Sequence, residues 1–262
     1  MNEPRRPIMI GNWKMNLGGR EALIQVQRCH QSLRLSLPNT AEVVMLPPFT
    51  AIAGIQAALI ELDRPFAYGA QDLAPFDDGA YTDDISGSML HDWGCSYVLV
   101  GHSERRVHHH ESDGVVNAKV HAAIRHKLRP ILCVGEGLQV RQEEAHINFT
   151  VAQLQAALAG VNREELGAVL IAYEPVWAIG TGHVARAADA QEVCAALRAR
   201  LSDLYGSDLA GTVRILYGGS IRPSNAAAIA NQPDVDGALV GAASLDADDF
   251  AEICRQWTRR SV

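Results

Sequence analysis

Lysine is scarce in this sequence, cysteine motifs and long apolar runs are missing, and there is no basic excess. Of 23 basic residues, 20 are arginine and only three are lysine: Lys14, Lys119 and Lys127. The formal net charge of −7 argues against a binder of nucleic-acid backbones, which needs a basic face. It leaves room for a small anionic substrate held by a few local groups. Five scattered cysteines, odd in number and without a C-x-x-C pair, suit a reducing compartment and small core residues. No stretch approaches the ~20 apolar residues that span a bilayer. The polar, basic residues 1–7 and the brief run Ile8–Ile10 do not make a signal sequence, so a cytoplasmic location is expected.

Several familiar motifs are missing too. Without a Gly-Lys pair there is no P-loop, and neither Gly-x-Ser (at Ser103 and Ser220) continues into a nucleophile elbow. Gly180-x-Gly182-x-x-Ala185 imitates a dinucleotide fingerprint, but Pro175 and a loop separate it from the preceding strand. His108, His109 and His110 are adjacent and cannot all face one metal ion; a solvated turn is expected there.

What is present is periodic. Eight short apolar runs recur along the chain: Ile8–Ile10, Val43–Leu46, Phe66–Ala70, Tyr97–Val100, Ile131–Val134, Val169–Tyr173, Val213–Tyr217 and Ala238–Val240. They do not alternate polar with apolar, as expected for strands of a parallel sheet buried on both faces. Helical stripes lie between them: Ala22/Val26/Cys29/Leu33, Ile147/Val151/Leu154/Leu158 and Val193/Leu197/Leu201/Leu204. Eight strand–helix units of about 33 residues each fit a closed (β/α)8 barrel better than an open doubly wound sheet, which usually has fewer strands. No linker or composition shift marks a second domain, so residues 1–262 are expected to form one barrel domain.

The unusual residues cluster where the runs end. Gly11-Asn12-Trp13-Lys14-Met15-Asn16 follows the first run and Gly101-His102-Ser103-Glu104-Arg105-Arg106 the fourth. Tyr173-Glu174-Pro175-Val176-Trp177-Ala178-Ile179-Gly180-Thr181-Gly182 closes the sixth, Tyr217-Gly218-Gly219-Ser220 the seventh and Gly241-Ala242-Ala243-Ser244 the eighth. In a parallel barrel these ends share one rim. Lys14 is either a solvated lysine or a compact charge for an anionic substrate, with Asn12 holding it or bonding a substrate oxygen. His102 is either a satisfied core histidine or a neutral imidazole that donates to a developing oxyanion. Glu174 either pairs with an arginine or acts as a general base, more effective if a closing loop removes water. The glycines after the last two strands serve tight turns or a backbone phosphate site.

In these segments the sequence closely resembles the triosephosphate isomerase family, and the resemblance runs in order along essentially the whole chain. It implies an α/β fold, a single-domain (β/α)8 TIM barrel. It also implies interconversion of dihydroxyacetone phosphate and glyceraldehyde 3-phosphate without metal or organic cofactor. By the same resemblance Glu174 is the base, His102 the neutral electrophile, Lys14 and Asn12 sit beside the carbonyl, and Glu104 lies behind Lys14. Phosphate falls to the backbone at Gly180, Ser220, Gly241 and Ala242. The family is itself a standard example of a glutamate base beside a neutral histidine, and of lid closure, here expected over residues 175–185. An enediolate with a β-phosphate readily expels phosphate, so that lid has to close before proton abstraction.

The resemblance further implies a homodimer through the loop at 71–86, with Thr82 near the partner's Asn12 and Lys14. Four departures from the family pattern stand out: Ala242 for glycine, His183 for lysine, and Asp83 and Asp84 for glycine and glutamate. Pocket size separates a triose from a tetrulose phosphate substrate. Retention of Lys14, His102 and Glu174 together argues against a catalytically silent barrel.

Overall fold

Eight parallel strands close on themselves in sequence order: β1 (Ile8–Asn12), β2 (Glu42–Leu46), β3 (Ala67–Ala70), β4 (Tyr97–Val100), β5 (Arg129–Val134), β6 (Leu170–Tyr173), β7 (Ile215–Tyr217) and β8 (Gly237–Val240). Closure is made by β8 against β1, with Ile8 opposite Gly237 and Gly11 opposite Val240. The computed structural model describes residues 5–33, 41–62, 66–181 and 185–258. Each strand starts within two residues of one of the eight apolar runs, as expected for strands buried on both faces.

The two faces of each strand feed different cores. Ile8, Ile10, Val44, Leu46, Tyr97, Leu99, Ile131, Cys133, Leu170, Ala172, Leu216 and Leu239 form a cluster that fills the barrel. The alternate residues, among them Met9, Val43, Met45, Val98, Val100, Leu132, Ile171 and Val240, belong to a second cluster with the surrounding helices. Burying each such aliphatic side chain stabilises by roughly 1.5–3 kcal/mol, so the barrel wall is sealed on both sides and its functional groups are left to the ends.

The three expected helical stripes face the core, two of them with adjustments. Helix Gly19–Leu33 buries Ala22, Val26, Cys29 and Leu33 as expected. Helix His146–Ala157 buries Leu154, with Leu158 just beyond it, and packs Ile147 and Val151 partly buried against the core, but it also buries His146, Thr150, Gln153 and Ala157. Gln153 Oε1 accepts the Gly135 N–H at 2.8 Å, at the end of β5. Hydrogen bonding thus buries a polar residue that apolar counting passes over. In helix Ala187–Tyr205, Val193, Leu197 and Leu201 are buried but Leu204 is 41% exposed. Tyr205 takes the inward place, its hydroxyl donating to the Leu158 and Val161 carbonyls.

All five cysteines are buried and unpaired. Burial pushes the Cys29 and Cys95 thiols up to about 12, which keeps them protonated and unreactive. Among the described residues no helix is long and apolar enough to cross a membrane. The long loop at 71–86 lies between β3 and helix Gly87–Asp92. Phe76 and Tyr81 stack there at 4.0 Å between centroids, both partly exposed, and Asp77 is held by Arg125 and His126.

Candidate active site

The chain leaves β1 through Asn12, which is buried and accepts the Lys14 backbone N–H on Oδ1 at 3.0 Å. That contact fixes Lys14 in a left-handed backbone conformation, with φ of 52°. The Gln71 side-chain amide donates to the Lys14 and Leu46 carbonyls, both at 2.9 Å, and anchors the turn to β2. The Lys14 ammonium reaches Glu104 Oε1 at 2.5 Å. Lys14 and Glu104 remain partly open to solvent, so this pair serves mainly to aim the ammonium.

After β4 the chain turns at Gly101, whose φ is +68°; a Cβ there would meet the Val116 methyls at 2.9 Å. The turn places His102 at the N-cap of helix Ser103–His108, where its Nδ1 accepts the Glu104 N–H at 3.2 Å. An accepting Nδ1 carries no proton, so in the neutral ring the proton is assigned to Nε2, which faces Glu174 Oε1 at 3.0 Å.

Glu174 follows β6, its N–H bonded to the Val134 carbonyl at 2.8 Å. Only glycine fits at neighbouring position 135, because a Cβ there would lie 1.7 Å from the Glu174 carbonyl oxygen. The Glu174 carboxylate is 2% exposed and pairs with no arginine among the described residues. Its Oε2 accepts the Ser103 N–H at 2.9 Å. Its Oε1, although close to His102, lies off the N–H direction and has no hydrogen bond. One buried carboxylate oxygen is therefore left free.

The electrostatics follow from these contacts. Burial works to raise the Glu174 pKa, but His102, the Ser103 N–H and Lys14 outweigh it, holding the carboxylate below its usual range. Burial favours neutral His102, while the Glu174 and Glu104 carboxylates lift its pKa above the ordinary histidine value. The two groups share one field. Anything that separates them removes most of the lift on the imidazole.

Asn12, Lys14, His102, Glu104 and Glu174 line a single cavity of about 660 Å³, together with Gly180, Ser220, Gly241 and Ala242. Every candidate site residue thus borders one space. Ala242 begins the short turn Ala242–Leu245 and is not among the residues with positive φ, so alanine in place of glycine introduces no backbone strain. His183 lies outside the described residues. Arg105, which by the family resemblance would meet the residue at position 84, is held within its own chain by Asp72 at 2.8 Å and Glu111 at 2.6 Å, and the buried Lys119 joins both carboxylates. His108, His109 and His110 are exposed, and no metal-capable group of three or more His, Cys, Asp or Glu occurs among the described residues.

Sequence reasoning passed over Glu136. This fully buried carboxylate accepts the Tyr173 hydroxyl at 3.0 Å and the Trp177 indole N–H at 2.8 Å, and its backbone carbonyl accepts the Val176 N–H. Burial raises its pKa. The signal was available: Gly135-Glu136-Gly137 ends the fifth apolar run as the other site segments end theirs.

Comparison with known proteins converges on one family. The sequence profile described as Triosephosphate isomerase matches residues 7–257. A triosephosphate isomerase of Streptomyces avermitilis is 54% identical over 252 residues, covering 96% of this chain and 97% of that protein. Those of Saccharopolyspora erythraea and Mycobacterium tuberculosis are 53% and 52% identical over 250 residues, each covering 95% of both chains.

Proposed function

The chain belongs to the triosephosphate isomerase family, and from that premise we propose that Glu174 and His102 interconvert dihydroxyacetone phosphate and glyceraldehyde 3-phosphate through an enediolate. The observation that carries this reading is one juxtaposition. An ionised, buried carboxylate with a free oxygen lies 3.0 Å from a histidine Nε2, beside a lysine, at the edge of one cavity.

Glu174 removes the proton from one substrate carbon and returns it to the neighbouring carbon, while His102 Nε2 gives a proton to the carbonyl oxygen and takes one back from the neighbouring hydroxyl, so the reaction balances within one molecule and calls for no oxidant. Substrate carbons entering beside Glu174 draw its carboxylate away from His102. The lift on the imidazole then falls, while burial and the Glu104 N–H at Nδ1 continue to favour the neutral ring. Neutral His102 donates from Nε2 to the carbonyl oxygen as it becomes an oxyanion, and the Lys14 ammonium, aimed by Glu104, supplies positive charge beside it. Asn12 fixes the Lys14 backbone.

Phosphate is held by backbone N–H groups at Gly180, Ser220, Gly241 and Ala242. In a chain of net charge −7 such binding is local, through these N–H groups together with Asn12 and Lys14, rather than through a broad basic surface. Residues 175–185 close over the bound substrate and keep the enediolate from losing phosphate. The barrel is read as one domain over 1–262, working in the cytoplasm as a homodimer. The Phe76–Tyr81 stack stiffens the 71–86 loop that reaches the partner.

A coupled assay of triose against tetrulose phosphate with the purified protein tests the substrate. Glu174→Ala is expected to lower the triose rate by orders of magnitude while 2-phosphoglycolate, whose carboxylate mimics the enediolate, still binds. Near-normal turnover in that variant would sink the mechanism.

A further inference from the structure

One of the residues that helix Gly19–Leu33 buries is an amide. Gln25 sits next to Val26 and one turn before Cys29, within the apolar face, and is 5% exposed. Its Nε2 has two acceptors: the Ser244 carbonyl at 3.1 Å, 219 positions away in sequence, and the Cys29 sulfur at 3.6 Å. Both contacts assign the amide nitrogen, not its oxygen, to this side. A buried amide costs stability unless its bonds are made, so its place on an apolar face is explained by what it holds.

Gln25 holds the turn after β8. Ser244 is fully buried, and its backbone N–H and its hydroxyl both donate to the Gly241 carbonyl, at 2.8 and 2.7 Å. Beneath the turn lies Gly11 of β1, where a Cβ would meet the Ser244 Cβ at 3.1 Å. The turn therefore rests on β1 and is tied from outside to the helix. Among the described residues Gln25 is the donor that the Ser244 carbonyl finds. Gly241 and Ala242, where the turn begins, border the cavity that holds Glu174 and His102, and the Ala242 N–H meets no backbone acceptor among the described residues.

We propose that Gln25 is a positioning residue for the substrate phosphate: by holding Ser244 it fixes the direction in which the Ala242 N–H points into the cavity. This rests on the reading of that N–H as part of the phosphate site. The Gly241 carbonyl and the Ala242 N–H are opposite ends of one planar trans peptide, so a grip on the carbonyl aims the N–H the other way. Ser244 supplies that grip twice, and Gln25 keeps Ser244 in place. Without the amide, a buried carbonyl loses its donor and the turn relaxes to find another. Gln25 touches no substrate and is remote from the proton transfer at Glu174. Its loss weakens the hold on phosphate-bearing ligands and spares chemistry on a substrate without phosphate.

The test compares the wild-type protein with Gln25→Met, which keeps the length without a donor, and Gln25→Glu, which sets an acceptor against the carbonyl. The measurements are kcat and KM for glyceraldehyde 3-phosphate, the dissociation constant of inorganic phosphate by calorimetry, kcat/KM for unphosphorylated glyceraldehyde, and thermal melting. For Gln25→Met, KM and the phosphate constant are each expected to rise about fivefold, with kcat and the glyceraldehyde reaction within about twofold of wild type. For Gln25→Glu both are expected to rise about twentyfold, because the bond is replaced by a repulsion. An unchanged phosphate constant in Gln25→Met overturns the proposal. So does an equal loss toward glyceraldehyde, or a lower melting temperature with KM unmoved, since either marks a structural role only. If Gln25→Met does not fold, unchanged phosphate affinity in Gln25→Asn, whose amide is one methylene short, overturns it equally. A wild-type protein that binds inorganic phosphate without isomerising triose phosphate overturns the proposed reaction alone, and the phosphate constants then decide on Gln25. A wild-type protein that binds no phosphate overturns the phosphate site and this inference with it.

Discussion

Buried polar groups occur at both ends of the barrel, and two clusters at the N-terminal end contrast with the cavity at the other. At the N-terminal ends of the strands the polar side chains are matched. Glu42 accepts the Tyr97 hydroxyl and Arg214, and Arg129 donates to the same hydroxyl. Asp236 accepts Arg5, Arg198 and the Ile215 N–H, and Arg198 also takes Asp234. None of these side chains has a buried polar atom without a partner. At the C-terminal ends, by contrast, Glu174 Oε1, Glu136 Oε2, Arg141 Nη1 and the Tyr217 hydroxyl are all buried and unmatched. Nearby Lys14 and His102 border an open cavity. The Glu42 and Asp236 clusters thus find their partners within the chain, whereas Glu174 at the cavity keeps bonding capacity left over.

The comparison can be broken most sharply at Asp236. Asp236→Ala takes one carboxylate partner from each of Arg5 and Arg198 and leaves the Ile215 N–H without its acceptor, and is expected to cost about 3 kcal/mol of stability in a denaturant titration while leaving kcat unchanged. A fall in kcat for the folded variant would show that the two rims are not independent. At the other rim, Lys14→Arg keeps the charge but replaces a compact ammonium with a planar fork. Its kcat/KM is expected to drop about 100-fold, roughly 2.7 kcal/mol, with the unfolding midpoint nearly unmoved.

A smaller effect is expected from pH. Burial works to raise the Glu42 pKa, but the Tyr97 hydroxyl and Arg214 overcome it and hold the carboxylate below its ordinary value. A carboxylate depressed on folding contributes stability above its unfolded pKa, and that contribution fades as pH falls through the folded value. Stability of the wild-type protein should therefore decline on acidification below the ordinary glutamate range, and part of that decline should vanish in Glu42→Gln. Equal slopes for the two proteins would remove Glu42 from the account. Near the end of helix Ala187–Tyr205, Leu204→Ala is expected to change stability by less than about 0.5 kcal/mol, because its side chain is already 41% exposed. A loss comparable to a core truncation would put Leu204 back on the buried stripe.

These contrasts also mark what could be read from the chain. The strands were legible because a strand buried on both faces is an uninterrupted apolar run, as Tyr97–Val100 and Val43–Leu46 illustrate. Asn12, Lys14, His102 and Glu174 were legible because polar residues straight after such runs are hard to account for otherwise. In helix His146–Ala157 the apolar stripe was legible but the buried Thr150 and Gln153 were not, and in the Gln153 case the reason is a hydrogen bond to the Gly135 N–H after β5, which apolar periodicity does not register. Gln25 and Ser244 are 219 positions apart, and nothing local to either announces the contact. Glu136 followed the strand-end rule that found the others; it was the rule's application that fell short.

At Lys14 the backbone is held in the left-handed region. Its φ of 52° is a conformation that glycine adopts freely and that disfavours side-chain-bearing residues by roughly 1–2 kcal/mol. Asn12 and Gln71 hold the chain there against that preference. Selection for thermal robustness alone would favour glycine at position 14. Under the proposed mechanism the lysine found there is a stability–activity trade-off, and an engineer raising the melting point of this barrel would be led by folding energetics toward the substitution expected to disarm it.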